Sequence, residues 1–365
     1  MSETALERFS RGDRFAVDPD SIERELAAVW REAGRSNHHG ARPVTRACLW
    51  NVVAHEERRP DGEGHLGAAT LMETIQALPQ HVASRALVLR TEASDDDRPE
   101  IESWISANCA LSPDGNKVVC SEEITVASRG EGDRHLTSLV HALLVPDVPT
   151  AAVFAGVPPT GGIIDEDVLD VADRVVTRVD GSSQPRPLRR IHELLGRTPL
   201  GIMDLGWISQ SGLRTLVAEL FEPPATDADW RGVESVTVRA QRAAKSSARL
   251  MLGWIGASLG ARDPSRCDEQ QWRLDANGRD LYLELVDDES PGTAGISRIE
   301  LSAERQSYVT KAMDHRHWLM VPGHRPARQC VLDVAPLAEQ VATALRSRRT
   351  DPDFMNALVI GSALE

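Results

Sequence analysis

Between Val119 and Ser183 the apolar residues come in short runs separated by stripes at helical spacing. The stretch reads VCSEEITVAS, then HLTSLVHALLVPDVPTAAVFAGVPP, then VLDVADRVVTRVDGSS. Strands that alternate with helices predict a sheet that is at least partly parallel. Upstream, Ile22, Leu26, Val29 and Trp30 form an i, i+4, i+7, i+8 stripe, which predicts a helix from Asp18 or Asp20 to about Gly34. Residues 1–18 read as a polar lead-in. Arg46–His55 alternates as a strand, Leu66–Leu78 reads as a helix and Ser84–Arg90 as a short buried strand.

A hairpin follows. Glu102–Leu111 and Lys117–Ala127 flank Ser112-Pro113-Asp114-Gly115-Asn116, and Asp-Gly suits the two central positions of a tight turn. With Asp114 and Gly115 as the loop, Cys109 falls directly opposite Cys120. A helix at Asp133–Leu144, a strand at Thr150–Ala155, a helix at Asp165–Ala172 and a strand at Arg174–Val179 complete an α/β domain with a mixed sheet, residues 1–185. A proline- and arginine-rich linker at about 182–199 leads to a second domain, 200–365. There a helical face (Leu213, Leu216, Val217, Leu220, Phe221) ends at Glu222-Pro223-Pro224. Val233–Arg239 reads as a strand and Ser247–Leu259 as a helix. Strands at Leu281–Val286, Gly295–Ala303, Gln306–Ala312 and Gln329–Val334 precede a helix at Pro336–Ser347. This half is expected to be α+β with a largely antiparallel sheet.

The chain of 365 residues has 55 acidic and 41 basic side chains, a formal net charge of -14. Nucleic-acid binding needs a basic footprint, so that class is set aside. No apolar run is long enough for a membrane span, and the first residues lack an apolar signal core, so a cytoplasmic protein is expected. Five cysteines at irregular spacing give no C-x-x-C pair, and reduced thiols are the default. The three lysines, Lys117, Lys245 and Lys311, lie outside any P-loop pattern.

Candidate chemistry is sparse. Gly156–Gly162 (GVPPTGG) joins a strand to a helix, where α/β folds place ligands. It has two prolines, and Asp165, Glu166 and Asp167 follow, which disfavours phosphate. Asp204-x-x-Trp207 precedes an amphipathic helix, and Trp207 and Trp254 read either as interface anchors or as core. Arg214 reads either as a group that meets an acidic partner or as a solvated charge. Ser121-Glu122-Glu123 has no histidine close by in sequence. His38-His39 and His315-x-His317 lack a third ligand. No catalytic residue, cofactor site or metal site is assigned.

Several segments carry a resemblance. Cys120–Val126, Ser138–Pro149 and Val171–Ser183 are similar to CSEQITL, SLV-x-x-LLVPDLPV and LADRVIVDSS of the OpcA family, described as glucose-6-phosphate dehydrogenase assembly proteins. Asp204–Glu222 (DLGWISQSGLRTLVAELFE) resembles that family's DL-x-W-x-R-L-x-x-W-R-x-L-x-x-x-FD without a gap, and Ser247–Gly260 resembles A-x-LL-GWLASRLG. The chain departs from the pattern at Val153, Phe154 and Ala155, where the family has an aromatic pair and an arginine. It departs again at Ser209 for an arginine and Leu213 for a tryptophan. The resemblance implies a non-catalytic partner of glucose-6-phosphate dehydrogenase, an assembly factor or allosteric activator in the oxidative pentose phosphate pathway. Such a protein acts through a surface, for which Phe154, Gly156, Gly162, Asp204, Trp207 and Arg214 are the candidates. Arg214 is expected to be exposed enough that Arg214→Glu spares the melting temperature. Cys109 and Cys120 form a candidate redox pair, with reduced buried thiols as the competing reading. The alternative function is a sugar-phosphate- or nucleotide-binding enzyme or sensor that uses the Gly156–Gly162 loop.

Overall fold

A computed structural model describes residues 7–11, 19–36, 44–58, 67–92, 100–111, 118–130, 135–154, 156–157, 163–180, 182, 184–197, 201–222, 225, 227–289, 295–304, 306–313, 316–322, 328–346 and 349–365. In chain order the first elements are β1 (Glu7–Arg11), α1 (Pro19–Ser36), β2 (Val44–Arg46), β3 (Trp50–Arg58), α2 (Gly67–Ala77), β4 (Ser84–Glu92), β5 (Glu100–Leu111), β6 (Val118–Arg129), α3 (Leu136–Leu143), β7 (Thr150–Val153), α4 (Ile163–Asp170) and β8 (Arg174–Thr177). Then come α5 (Pro187–Arg197), β9 (Gly201–Asp204), α6 (Leu205–Ser209), α7 (Ser211–Glu219), α8 (Asp227–Arg231), β10 (Val233–Ala240) and α9 (Lys245–Ser258). The chain ends with β11 (Ala261–Arg266), β12 (Gln271–Ala276), β13 (Asp280–Asp287), β14 (Ile296–Ala303), β15 (Gln306–Met313), β16 (Arg316–Met320), β17 (Arg328–Cys330), α10 (Leu337–Leu345) and α11 (Pro352–Ala363). Among the described residues, no helix is long and apolar enough to cross a membrane.

Two compact units result. The first is Met1–Thr177 with Pro336–Arg348; the second is Arg178–Ala335 with Arg349–Glu365. The proline-rich segment expected as a linker thus lies in the second unit, where α5 packs against α11. The helix expected near the C-terminus, α10, returns to the first unit and packs on α2 and β8.

In the first unit the strands run β1-β5-β6-β4-β3-β7-β8, with β2 beside β6. β3, β4, β6, β7 and β8 are mutually parallel, and β5 pairs antiparallel with both β1 and β6. The central parallel strands are apolar along their length: Val52, Val53 and Ala54 on β3, Ala151–Val153 on β7 and Val175–Val176 on β8 are buried. Strands covered by helices on both faces have no polar alternation to display. β1 was not expected. It is a five-residue edge strand, too short to show a period, that docks on β5 from Glu7↔Cys109 to Arg11↔Ile105.

The hairpin register is as expected. β5 and β6 pair from Glu100↔Arg129 to Leu111↔Val118, with Cys109 opposite Cys120. The turn residues 112–117 lie outside the described residues.

The second unit holds a sheet ordered β11-β12-β13-β10-β14-β15-β16-β17, antiparallel except for the β10–β13 pair. Alternate residues face an apolar core that includes Val236, Val238, Leu281, Leu283, Ile299 and Leu301, against Met251 and Ile255 of α9. The intervening positions, among them Arg273, Tyr282, Thr237, Glu300 and Lys311, are exposed or half-buried. α9 and α11 pack closely at glycine. A Cβ on Gly253 would lie 2.2 Å from the Ala357 carbonyl oxygen, so only glycine fits without a shift.

Candidate functional site

Three polar constellations stand out, two in the first unit and one in the second. The first is at the carboxyl ends of the parallel strands. His55 on β3 has Nδ1 2.8 Å from Asp165 Oδ1, in the first turn of α4, and Nε2 3.0 Å from Thr91 Oγ1 on β4. An ionised carboxylate only accepts, so the imidazole donates from Nδ1 to Asp165, while Nε2 lies within hydrogen-bond distance of the Thr91 hydroxyl. All three side chains are buried or nearly so. The chain of carboxylate, imidazole and hydroxyl ties β3, β4 and α4 together. Sequence reasoning missed it because the three residues lie 36 and 110 positions apart and only the sheet register joins them.

The second constellation is a buried ion network. Glu122 on β6 accepts from Arg85 Nε, Arg46 Nε and Trp30 Nε1, each at 2.6 Å. Arg85 also donates to Glu23 at 2.6 Å and to the Leu143 carbonyl at 2.9 Å. Burial opposes charge on Arg85, but Glu122 and Glu23 outweigh it and push its pKa above the usual arginine value. Burial raises the nearby Cys48 thiol pKa. Ser121 accepts the Ser84 backbone N–H at 3.0 Å, so its hydroxyl holds β4 and is not presented to a substrate. Cys120, fully buried, is disulfide-bonded, and the ladder sets Cys109 across from it.

The third constellation lies in the second unit, around Trp207. Asp204 caps α6 by accepting the Trp207 N–H at 3.1 Å, and it also accepts the Val179 N–H at 2.8 Å. Trp207 donates Nε1–H to Asp351, the cap of α11, at 3.1 Å and packs against Phe354 with ring centroids 5.7 Å apart. The Arg214 guanidinium sits 3.5 Å from the Trp207 ring centroid and donates to the Trp207 carbonyl at 2.7 Å. Burial lowers the Arg214 pKa to about 10, with Asp351 and Asp353 pulling the other way.

These placements refine the surface candidates. Trp207 is 2% exposed, Asp204 0% and Phe154 7%. Each is therefore packed inside its unit, and a tryptophan with both a stacking partner and an N–H acceptor needs no binding partner to satisfy it. Arg214 is half-buried and engaged, not the free surface charge expected. Gly156 is half-buried; Gly162 lies outside the described residues. At the departures from the family pattern, Ser209 donates to the Gly206 carbonyl at 2.8 Å and Leu213 joins the apolar core. Large apolar side chains that are exposed include Leu49 in the first unit and Tyr282, Met313, Val331, Val334, Met355 and Val359 in the second.

Comparison with known proteins agrees with both units. Residues 76–194 match the family described as glucose-6-phosphate dehydrogenase subunit N-terminal domain, and residues 200–358 match its C-terminal domain. The chain belongs to the OpcA family. A curated relative, the putative OxPP cycle protein OpcA of Nostoc punctiforme, is 22% identical over 161 residues, which is 44% of this chain and 34% of that protein. The match thus spans about a third of the length of that OpcA protein. Two solved structures also align: an oxidoreductase from Sinorhizobium meliloti (TM-score 0.45, 11% identity, 87% of this chain and 96% of that one) and an NAD-binding oxidoreductase from Klebsiella pneumoniae (TM-score 0.46, 9% identity, 87% and 95%).

Proposed function

We propose that this chain is a non-catalytic partner of glucose-6-phosphate dehydrogenase that promotes its assembly or its allosteric activation. The observation that carries the reading is the match of both halves to the two domains of a subunit described by that enzyme's name. A partner of this kind acts by binding one state of the enzyme better than another, since equal affinity for both shifts nothing. Candidate contact residues are Gly156 in the first unit and, separately, Arg214 in the second, whose guanidinium donates to the carbonyl of the buried Trp207. The solvent-facing side of β10–β16, with Arg273, Tyr282, Thr237 and Glu300, adds a polar surface on a rigid sheet.

The test is a titration of this chain into the dehydrogenase of the same organism. Oligomer size and the glucose 6-phosphate dependence of the rate are both followed. A lower apparent KM or a larger oligomer is expected, and the chain alone should reduce no NADP. If neither property moves at micromolar concentration, the reading fails.

A further inference from the structure

The sheet of the second unit turns alternate residues to its apolar core and the rest away from it. On the side away from the core one rung runs across four strands. Arg239 of β10 lies opposite Arg298 of β14, Arg298 opposite Lys311 of β15, and Lys311 opposite Trp318 of β16. Residues directly opposite in a ladder share a face, so three cations and an indole stand in line. Arg239 is exposed, and Arg298, Lys311 and Trp318 are half-buried. At strand spacings of about 4.8 Å the rung is about 14 Å long. Two residues further along β15, on the same face, Met313 is 46% exposed.

Like charges directly opposite in a sheet weaken it. Here two such pairs adjoin, in a chain whose formal net charge is -14. The protein does not cancel them itself. The next rung carries Glu284 and Glu300 on either side of Thr237. Glu300 accepts from Arg298 Nη2 at 2.8 Å, and Glu284 accepts the Thr237 hydroxyl at 3.0 Å. Among the described residues, neither the Arg239 guanidinium nor the Lys311 ammonium has an ion-pair or hydrogen-bond partner, and the Trp318 N–H has no acceptor.

We propose that this rung docks an acidic patch of the dehydrogenase, whose carboxylates meet Arg239 and Lys311 and whose apolar neighbour packs on Trp318 and Met313. The inference rests on the partner reading above and adds to it a surface and its charge. Three features favour a protein over other anions. The rung lies on a sheet face and spans about 14 Å, whereas small-molecule sites are concave. Nucleic acid needs a basic footprint larger than three cations in so acidic a chain. Arginine, tryptophan and methionine, moreover, are side chains enriched at protein interfaces.

The test uses the full chain and the dehydrogenase of the same organism, and reads the chain concentration that gives half the maximal effect on that enzyme. The double substitution Arg239→Glu with Lys311→Glu turns three like charges into alternating ones. Its melting temperature should hold or rise, while the half-maximal concentration should rise about 10-fold or more. Raising NaCl from about 50 to about 500 mM should raise that concentration about 5-fold or more for the parent and less for the double variant. Arg262→Glu, on the edge strand β11, should leave it within about two-fold. If the double variant melts early, Arg239→Gln with Lys311→Gln takes its place, with a rise of about 3-fold or more expected. If the parent acts on the dehydrogenase and the double variant acts at the same concentration, the docking surface is overturned and the partner reading stands. If the parent has no effect, both fail. A change in the oligomer size of the chain alone on double substitution would assign the rung to contact between copies and also overturns the proposal. So does Arg262→Glu weakening the effect as much as the double variant.

Discussion

The two units bury different things. Between its strands and helices the first unit buries charge: Arg85, Glu122, Glu123, Glu56, Asp165 and Arg174 are all in its interior. The second unit packs its sheet on an apolar cluster that runs from Leu213 to Leu364, and among its described residues Asp204 is the charged side chain that is buried. An ion network is specified by partners, and its failure leaves an orphan charge. An apolar core is specified by volume, and its failure leaves a clash or a cavity. The first unit should therefore be fragile to the loss of a single carboxylate and the second to the gain of a single methyl.

The sharpest way to break that contrast is Glu122→Ala. It strips Arg85, Arg46 and Trp30 of a shared acceptor and leaves a guanidinium that is 4% exposed half-paired. A loss of about 3–5 kcal/mol is expected by urea denaturation, as for other broken buried pairs. A loss under about 1 kcal/mol, the range of exposed pairs, would make the network a surface feature in energetic terms. In the second unit the matching change is Gly253→Ala. The new methyl meets the Ala357 carbonyl oxygen at 2.2 Å and the Gly361 nitrogen at 2.8 Å, both backbone atoms that cannot rotate away. Separation of α9 from α11 should cost about 1–3 kcal/mol. An unchanged melting temperature would show that the helices slide apart freely.

The same contrast explains what was legible in the sequence. The β5–β6 register was readable because Asp-Gly in the sequence is a strong signal for a hairpin and period-2 alternation fixes the faces. The type of each half was readable too, since β7 and β8 are continuous apolar runs and β12 and β13 alternate. Strand order was not, because β3–β7 pairing joins Asn51 to Thr150 and no local pattern encodes it. The return of α10 to the first unit was hidden for the same reason. His55, Thr91 and Asp165 look unrelated until β3, β4 and α4 meet. Trp207, readable in the sequence either as an anchor or as core, is packed as core, with its ring against Phe354 and Arg214.

Arg214→Glu sharpens the comparison from inside the second unit. The substitution removes a guanidinium stacked on Trp207 and sets a carboxylate near Asp351 and Asp353. A stability loss of about 2 kcal/mol is expected, in contrast to the small change an exposed charge would give. Arg214→Lys, which keeps the charge but not the planar fork, should recover only part of it. If Arg214→Glu leaves the melt unchanged and abolishes dehydrogenase activation, Arg214 is a contact residue and its packing is incidental.

A smaller, pH-dependent effect is expected at Asp180, also in the second unit. Burial raises its pKa, partly countered by the Ser247 backbone N–H at 3.1 Å and by Arg178. An acid whose folded pKa lies above its unfolded value penalises the fold as pH rises through that window, so the penalty is absent at pH ~3 and complete near neutrality. Asp180→Asn keeps an acceptor for Ser247 and removes the penalty. Its stability advantage over the parent should grow from pH 4 to pH 7; an advantage that shrinks over that range would reverse the sign of the argument.

The smallest effect expected is on regulation through the cysteines of the hairpin. Cys109 and Cys120 face each other across β5 and β6, and Cys120 is disulfide-bonded with no exposed surface. Two features argue that oxidation state does not gate the partner role. A sulfur without exposure cannot be reached by an attacking thiolate unless the hairpin opens, and exchange rates depend on that access. The hairpin, moreover, is held over twelve paired residues from Glu100↔Arg129 to Leu111↔Val118, so its register survives the loss of one cross-link. Cys120→Ser should lower the melting temperature of the chain and leave its activation of the dehydrogenase within about two-fold of the parent, in oxidising and reducing buffer alike. An activation that rises or falls several-fold with the redox buffer in the parent, and loses that dependence in Cys120→Ser, would make the pair a switch and place the hairpin at the partner interface.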